Sequence, residues 1–189
     1  MNSPTKVALV TGASRGAGKG IALALASKGY VVYITGRSQQ EGEAPLPGTI
    51  YETAEQVNEL GGQGVAVYCD HSNDAQVEKL FSTIKNDHGR LDILVNNAAA
   101  VDDDLIVAGP FWTKSLSLVD IIHVGLHSAY VASFHAAKIM AEQKQGLIIN
   151  TSSYGGACYM HGPAYGAQKA GVDKMAFDMA HDLRPYHVA

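Results

Sequence analysis

The sequence predicts an α/β fold, a doubly wound parallel sheet with helices on both faces. Three observations carry that expectation. Apolar strand-like runs alternate with longer helical patterns along the whole chain. The strand runs are continuously apolar, as strands buried on both faces are, instead of alternating. A glycine-rich turn joins the first strand to the first helix. With 189 residues the chain suits a single domain, residues 1–189, with no internal repeat and no linker.

Taken in order, residues 6–11 read as a buried strand. A helix over about 17–28 offers Ile21, Leu23, Ala24 and Leu25 to the core, and Gly29 closes it. Residues 30–35 form the second strand. Residues 38–49 hold Ser, Gln, Glu, Gly and two prolines and read as a loop. A helix over about 50–60 ends at Gly61-Gly62, and 64–69 form the third strand. Asn73 or Asp74 caps a helix that reaches about His88. Residues 91–96 are the fourth strand. An irregular stretch around 102–114 leads into a long helix over roughly 118–143. Residues 146–151 are the fifth strand, and a last helix over about 165–183 stops before Pro185. Right-handed crossovers then place a ligand outside the carboxyl ends of the strands, at the switch point of a Rossmann-like sheet.

Composition narrows the function classes. Apolar residues are 47%, charged residues 17% and the net charge is −4, which argues against a nucleic-acid footprint. No run reads as an apolar span of bilayer length, and the polar start at residues 1–6 leads into a strand, so a cytoplasmic protein is expected. Cys69 and Cys158 are the only cysteines and are expected to be free. His123 and His127 are one helical turn apart, but a metal site wants a third ligand, so no metal is expected.

Two strings carry chemistry. In Thr11-Gly-Ala-Ser-Arg-Gly-Ala-Gly18, Gly12, Gly16 and Gly18 let the backbone turn tightly and approach a pyrophosphate closely. The following helix then presents free N–H groups and the positive end of its dipole. In Tyr165-Gly-Ala-Gln-Lys169, the four-residue spacing places a phenol and an ammonium on one helical face. A nearby cation favours the phenolate of a group that is otherwise a poor acid at neutral pH. Ser152-Ser153 follows the fifth strand and offers two hydroxyls at its carboxyl end.

The spacing Thr-Gly-x-x-x-Gly-x-Gly resembles the short-chain dehydrogenase/reductase family. Asp70 after the third strand, Asn96-Asn-Ala-Ala99 after the fourth and Tyr165-x-x-x-Lys169 agree with that resemblance, which covers essentially the whole chain. Phe111-Trp112, the Val124-Gly-Leu126 string with Tyr130, and Pro163-Ala-Tyr-Gly166 are closest to one branch of it. The resemblance implies an oxidoreductase that moves hydride between a nicotinamide dinucleotide and a carbonyl or alcohol, with tyrosine as general acid/base. It implies cofactor contacts at Gly12, Ser14, Arg15, Gly16 and Gly18 of the turn, at Asp70 (to the adenine), and at Asn97 and Ala98. Tyr165 and Lys169 join them, the lysine at the nicotinamide ribose. The family serine usually lies thirteen residues before the tyrosine, which is Ser152. Ser153, the second of the pair, is chosen here for the catalytic set with Tyr165 and Lys169, and Ser152 stays the alternative.

Charge favours NADP(H) over NAD(H). The second strand ends in Thr35-Gly-Arg-Ser38 with no carboxylate for a ribose 2′-OH, and Arg37 with Arg15 can face a 2′-phosphate. One departure stands in the long helix. Ile122 replaces the asparagine whose carbonyl in the family holds a water near the lysine, and His123 could supply a polar group instead. Leu126, Tyr130, Phe134, Ala137 and Ala141 recur at helical spacing and suggest a homo-oligomer, dimer or tetramer. Trp112, Tyr154, Tyr159 and Met160 either line a substrate pocket or belong to the core. Five strands are read where the family has six or seven, so the domain reads as C-terminally truncated. That leaves two expectations: an NADP-dependent enzyme acting on a small-molecule carbonyl or alcohol, or a catalytically silent nucleotide-binding or assembly module.

Overall fold

The computed structural model describes residues 5–189. The polar start read at residues 1–4 lies outside the described residues. Five parallel strands form one sheet in the order β3-β2-β1-β4-β5. They are β1 (Val7–Val10), β2 (Val31–Gly36), β3 (Gln63–Tyr68), β4 (Ile93–Asn96) and β5 (Leu147–Asn150). The helices are α1 (Gly16–Ala26), α2 (Ile50–Glu59), α3 (Asp74–His88), α4 (Val119–Ile122), α5 (Ser128–Gln143) and α6 (Pro163–Leu183). A π turn over His123–His127 joins α4 to α5. The irregular stretch after β4 contains short 3-10 turns at Asp103–Leu105, Phe111–Thr113 and Leu116–Leu118.

The sheet explains the continuous apolar runs. Val7 and Leu9 of β1, Val31 and Tyr33 of β2, and Leu94 of β4 pack under α3, α5 and α6. Their neighbours Val10, Val32, Ile34 and Val95 pack on the other face, with Ala22 and Ala26 of α1 and Val57 of α2. Successive side chains of a strand point to opposite faces, so a strand covered on both must be apolar throughout. The register pairs Val7 with Val31 and Ala8 with Ile93, which brings the carboxyl ends of β1, β2 and β4 level.

Two local expectations are corrected and one alternative is decided. In α1 the small Ala22 and Ala26 are fully buried on the sheet and Ile21, Leu23 and Leu25 pack partly buried around them, while Ala24 is exposed. Short side chains let this helix lie close, as its role behind the glycine turn requires. Asn73, not Asp74, caps α3, its Oδ1 accepting from the Gln76 N–H at 3.2 Å. The run Leu116–Gln143 is, by length and composition, long and apolar enough to cross a membrane. One face of it packs inward, with Ala132, Ala136, Ile139 and Met140 buried against the sheet and α3. At the other edge, Val188 bridges Gly146 in parallel, and the Ile148 N–H donates to the Ala189 carbonyl at 2.7 Å.

Candidate active site

The carboxyl ends of β1 and β4 are stitched together by one hydroxyl. Thr11 Oγ1 accepts from the N–H groups of Asn97 and Ala98, both at 2.9 Å, and donates to the Val95 carbonyl at 3.3 Å. Asn97 Nδ2 donates back to the carbonyls of Thr11 and Gly12, each at 3.0 Å. A Cβ on Gly12, whose φ is 65°, would stand 2.8 Å from Ala98 Cα, and one on Gly18 would stand 2.5 Å from the Gly12 carbonyl oxygen. Only glycine lets the backbone close up this far. The result is a rigid floor under the N-terminus of α1. That terminus has no side-chain cap and no acidic residue in its first turn. Its free N–H groups and positive dipole end suit an anion such as a pyrophosphate.

Asp70 and Arg37 flank the next subsite. Burial would push the Asp70 carboxyl up, but hydrogen bonds from Ser72 N–H at 3.0 Å and Ser72 Oγ at 2.7 Å, with the Arg37 charge, hold it below the usual range. It is therefore an ionised acceptor. Arg37 is exposed and makes no hydrogen bond among the described residues. Arg15 is placed differently from Arg37: its guanidinium is bonded to Ser38, Pro47 and Gly48. Ser14 is buried, with its carbonyl turned to Gly48.

Beside Arg37 and Ser72 lies a cavity of about 300 Å³, walled by Ala100, Ile121 and Val124, with Asp102, Ser117, Asp120 and His123 on its polar side. Of these, Ala100, Asp102, Ser117, Asp120 and Ile121 carry no mark in the sequence as site residues, because nothing in their spacing sets them apart; only the crossover after β4 brings them here. His123 lines this cavity, at the Arg37 side of the site.

The chemistry-bearing side chains meet at the end of β5. Ser153 Oγ and Tyr165 Oη are 2.9 Å apart. Ser152 is exposed and has no such contact. Lys169 is buried, donates to the Thr151 carbonyl at 3.1 Å, and holds its ammonium 5.5 Å from the Tyr165 ring centroid. His161 stacks edge-on against that ring at 5.1 Å. Pro163 at the first turn of α6 and Gly162 before it begin the helix earlier than expected, so Tyr165 and Lys169 both lie in its N-terminal part. Where Ile122 stands in place of the family asparagine, the long helix runs into the π turn over His123–His127. Around that turn Ser128 Oγ donates to the Val124 carbonyl and Gln168 Nε2 donates to the Gly125 carbonyl at 3.3 Å. Trp112, Tyr154 and Tyr159 are 74%, 76% and 87% exposed, so none is a core residue. Among the described residues no group of three or more His, Cys, Asp or Glu side chains could hold a metal, and His127 is paired with Asp74 at 2.9 Å.

Comparison with known proteins places this geometry. The profile of short chain dehydrogenase matches residues 6–189. The chain is 42% identical over 188 residues to Dehydrogenase/reductase SDR family member 1 of Homo sapiens, covering 97% of this chain and 58% of that protein. It therefore spans about three fifths of the length of that curated relative. It is 34% identical over 180 residues to the 3-oxoacyl-[acyl-carrier-protein] reductase of a Synechocystis strain, covering 94% and 68%. A crystal structure of a metagenomic short-chain oxidoreductase in complex with NADP superposes with a TM-score of 0.85 at 32% identity, covering 98% of this chain and 79% of that one.

Proposed function

This chain belongs to the short-chain dehydrogenase/reductase family, and on that premise we propose that it carries an NADP(H)-dependent site for interconverting a carbonyl and an alcohol. A nicotinamide dinucleotide, when bound, supplies or accepts the hydride. The cradle of Gly12 and Gly18 and the uncapped N-terminus of α1 suit its pyrophosphate. Asp70 would accept from the adenine amine, and Asn97 and Ala98 would line its approach. The end of β2 itself, Thr35–Ser38, carries no carboxylate for a ribose 2′-OH, and Arg37 would meet a 2′-phosphate there, which favours NADP(H) over NAD(H). The relative solved with NADP supports a nicotinamide dinucleotide in this site.

The observation that carries the reading is the 2.9 Å contact of Ser153 with Tyr165 over a buried lysine. In reduction, Tyr165 donates its phenol proton to the substrate oxygen as negative charge develops there, and Ser153 donates a hydrogen bond to the same oxygen. The Lys169 ammonium stabilises the charge left on the phenol oxygen, and its remaining N–H groups can hold ribose hydroxyls. Trp112, Tyr154 and Tyr159, exposed instead of buried in the core, suit a bulky apolar carbonyl compound. We further propose a cytoplasmic homo-oligomer.

The test is Tyr165→Phe against wild type, with NADPH binding by fluorescence titration and turnover on a panel of aldehydes and ketones. NADPH binding is expected to persist and turnover to fall at least about a hundredfold, the scale of a lost general acid. Lys169→Ala is expected to weaken both. Normal turnover by Tyr165→Phe refutes the assigned chemistry. Wild-type binding without any turnover favours the silent nucleotide-binding module.

A further inference from the structure

Arg15 stands just before α1, beside the phosphate cradle, yet its guanidinium is committed elsewhere. Nε donates to the Pro47 carbonyl at 3.1 Å, and Nη2 donates to the Gly48 carbonyl at 2.6 Å and to Ser38 Oγ at 2.8 Å. All three acceptors belong to the 38–49 connection between β2 and α2. That connection is organised along its length. The Glu43 carboxylate accepts from the N–H groups of Gln39 and Gln40, and the Ser38 carbonyl accepts from the Ile50 N–H at 3.0 Å. Thr49 caps α2. Its last turn presses on the glycine turn: Gly48 has φ 109°, and a Cβ there would stand 2.6 Å from the Ser14 carbonyl oxygen.

We propose that Arg15 is a positioning residue that clamps the 38–49 connection onto the glycine turn, and that Arg37 alone discriminates the cofactor's 2′-phosphate. The inference rests on the cofactor reading above. A planar guanidinium can bridge three acceptors in fixed geometry, which a lysine ammonium on a flexible stem does not reproduce. Ser38 Oγ accepts from Arg15, which leaves the serine proton free to donate toward the ribose. A clamp of this kind shapes the ribose subsite for NADPH and NADH alike. A residue that pairs with the 2′-phosphate serves only one of them.

Two variants separate the clamp from a direct charge effect. Arg15→Ala removes the guanidinium, and Gly48→Ala loosens the same strap while leaving Arg15 in place. Arg37→Ala is the comparison. Hydrogen exchange of residues 38–49 is measured without cofactor, and NADPH and NADH are titrated separately. Arg15→Ala and Gly48→Ala are expected to speed exchange at 38–49 at least about tenfold, the scale of one charge-assisted hydrogen bond. Both should weaken NADPH and NADH together, with the ratio kept within about threefold of wild type. Arg37→Ala should leave the exchange unchanged and collapse the ratio. Unchanged exchange in Arg15→Ala overturns the clamp. So does a collapsed ratio in Arg15→Ala with an intact one in Gly48→Ala. If wild type binds neither cofactor, the cofactor reading fails, and the exchange measurement still decides the clamp.

Discussion

His71 is a buried imidazole one residue after Asp70, 4% exposed, and its Nε2 lies 2.8 Å from Thr35 Oγ1. Nδ1 has no hydrogen-bond partner. Burial pulls its pKa from 6.5 down to about 4, and the Asp70 charge only partly opposes this. The unfolded chain therefore takes up this proton before the folded one does. The contribution to stability is fully present above pH 6.5 and is lost as pH falls toward 4. Between pH 7 and pH 5 this one group should cost about 2 kcal/mol. Urea unfolding of wild type and His71→Leu at both pH values checks it: the variant should lack that share of the loss. An equal pH dependence in the two proteins refutes the assignment. Cys69, by contrast, is inert: burial first, then Asp70, pushes its thiol up to about 12. Histidine at position 71 carries no spacing signal, so its burial was legible only once the strand end and α3 were folded around it.

The long helical run shows how an element divides its faces. Leu126 packs on α6, where a Cβ on Gly171 would meet it at 2.7 Å. Tyr130 and Phe134 are 58% and 50% exposed on α5, and Phe177 of α6 is 74% exposed. The periodic apolar stripe read in the sequence thus splits into an inward part and an outward part. The outward aromatics suit association through this helical layer, with Lys138 set 4.1 Å from the Phe134 ring centroid at its margin. Sedimentation velocity at micromolar concentration is expected to show a dimer or larger species. Phe134→Asp is expected to weaken association at least about thirtyfold, the scale of a buried aromatic anchor. A strictly monomeric wild type would remove this surface from consideration. Sequence periodicity alone reports that a helix has an apolar face; it does not report which part of that face the rest of the chain covers.

Across the molecule, the cofactor reading makes a thermodynamic claim that needs no substrate. A ligand seated on the glycine turn, the ends of β2–β4 and the start of α6 binds only the folded chain. At a hundredfold excess over its dissociation constant, NADPH should add about 2.7 kcal/mol of stability. For a chain of this size that is a rise of roughly 5–10 °C in Tm. Thermal unfolding with and without NADPH measures it, and NADH at the same concentration should give a smaller rise. Equal rises for both cofactors would refute the 2′-phosphate preference.

The sequence by itself determined the sheet and the two strings that matter most. Continuous apolar runs such as residues 6–11, the glycine turn and the Tyr165–Lys169 spacing are local signals. Strand burial, turn conformation and one helical turn are each set within a few residues. The family string Asn96–Ala99 was legible for the same reason. Tertiary structure alone decided three matters. It set Ser153, not Ser152, against Tyr165. It bound Arg15 to the 38–49 connection while leaving Arg37 exposed. It also turned His123 toward the cavity beside Arg37 and Ser72. Each depends on how far apart in sequence two backbone segments are before the sheet brings them together: Arg15 and Gly48 are separated by a helix, a strand and a loop, and no pattern within any of them predicts their contact. Side-chain chemistry is written residue by residue, but the partner of each group is chosen by crossovers that the sheet completes.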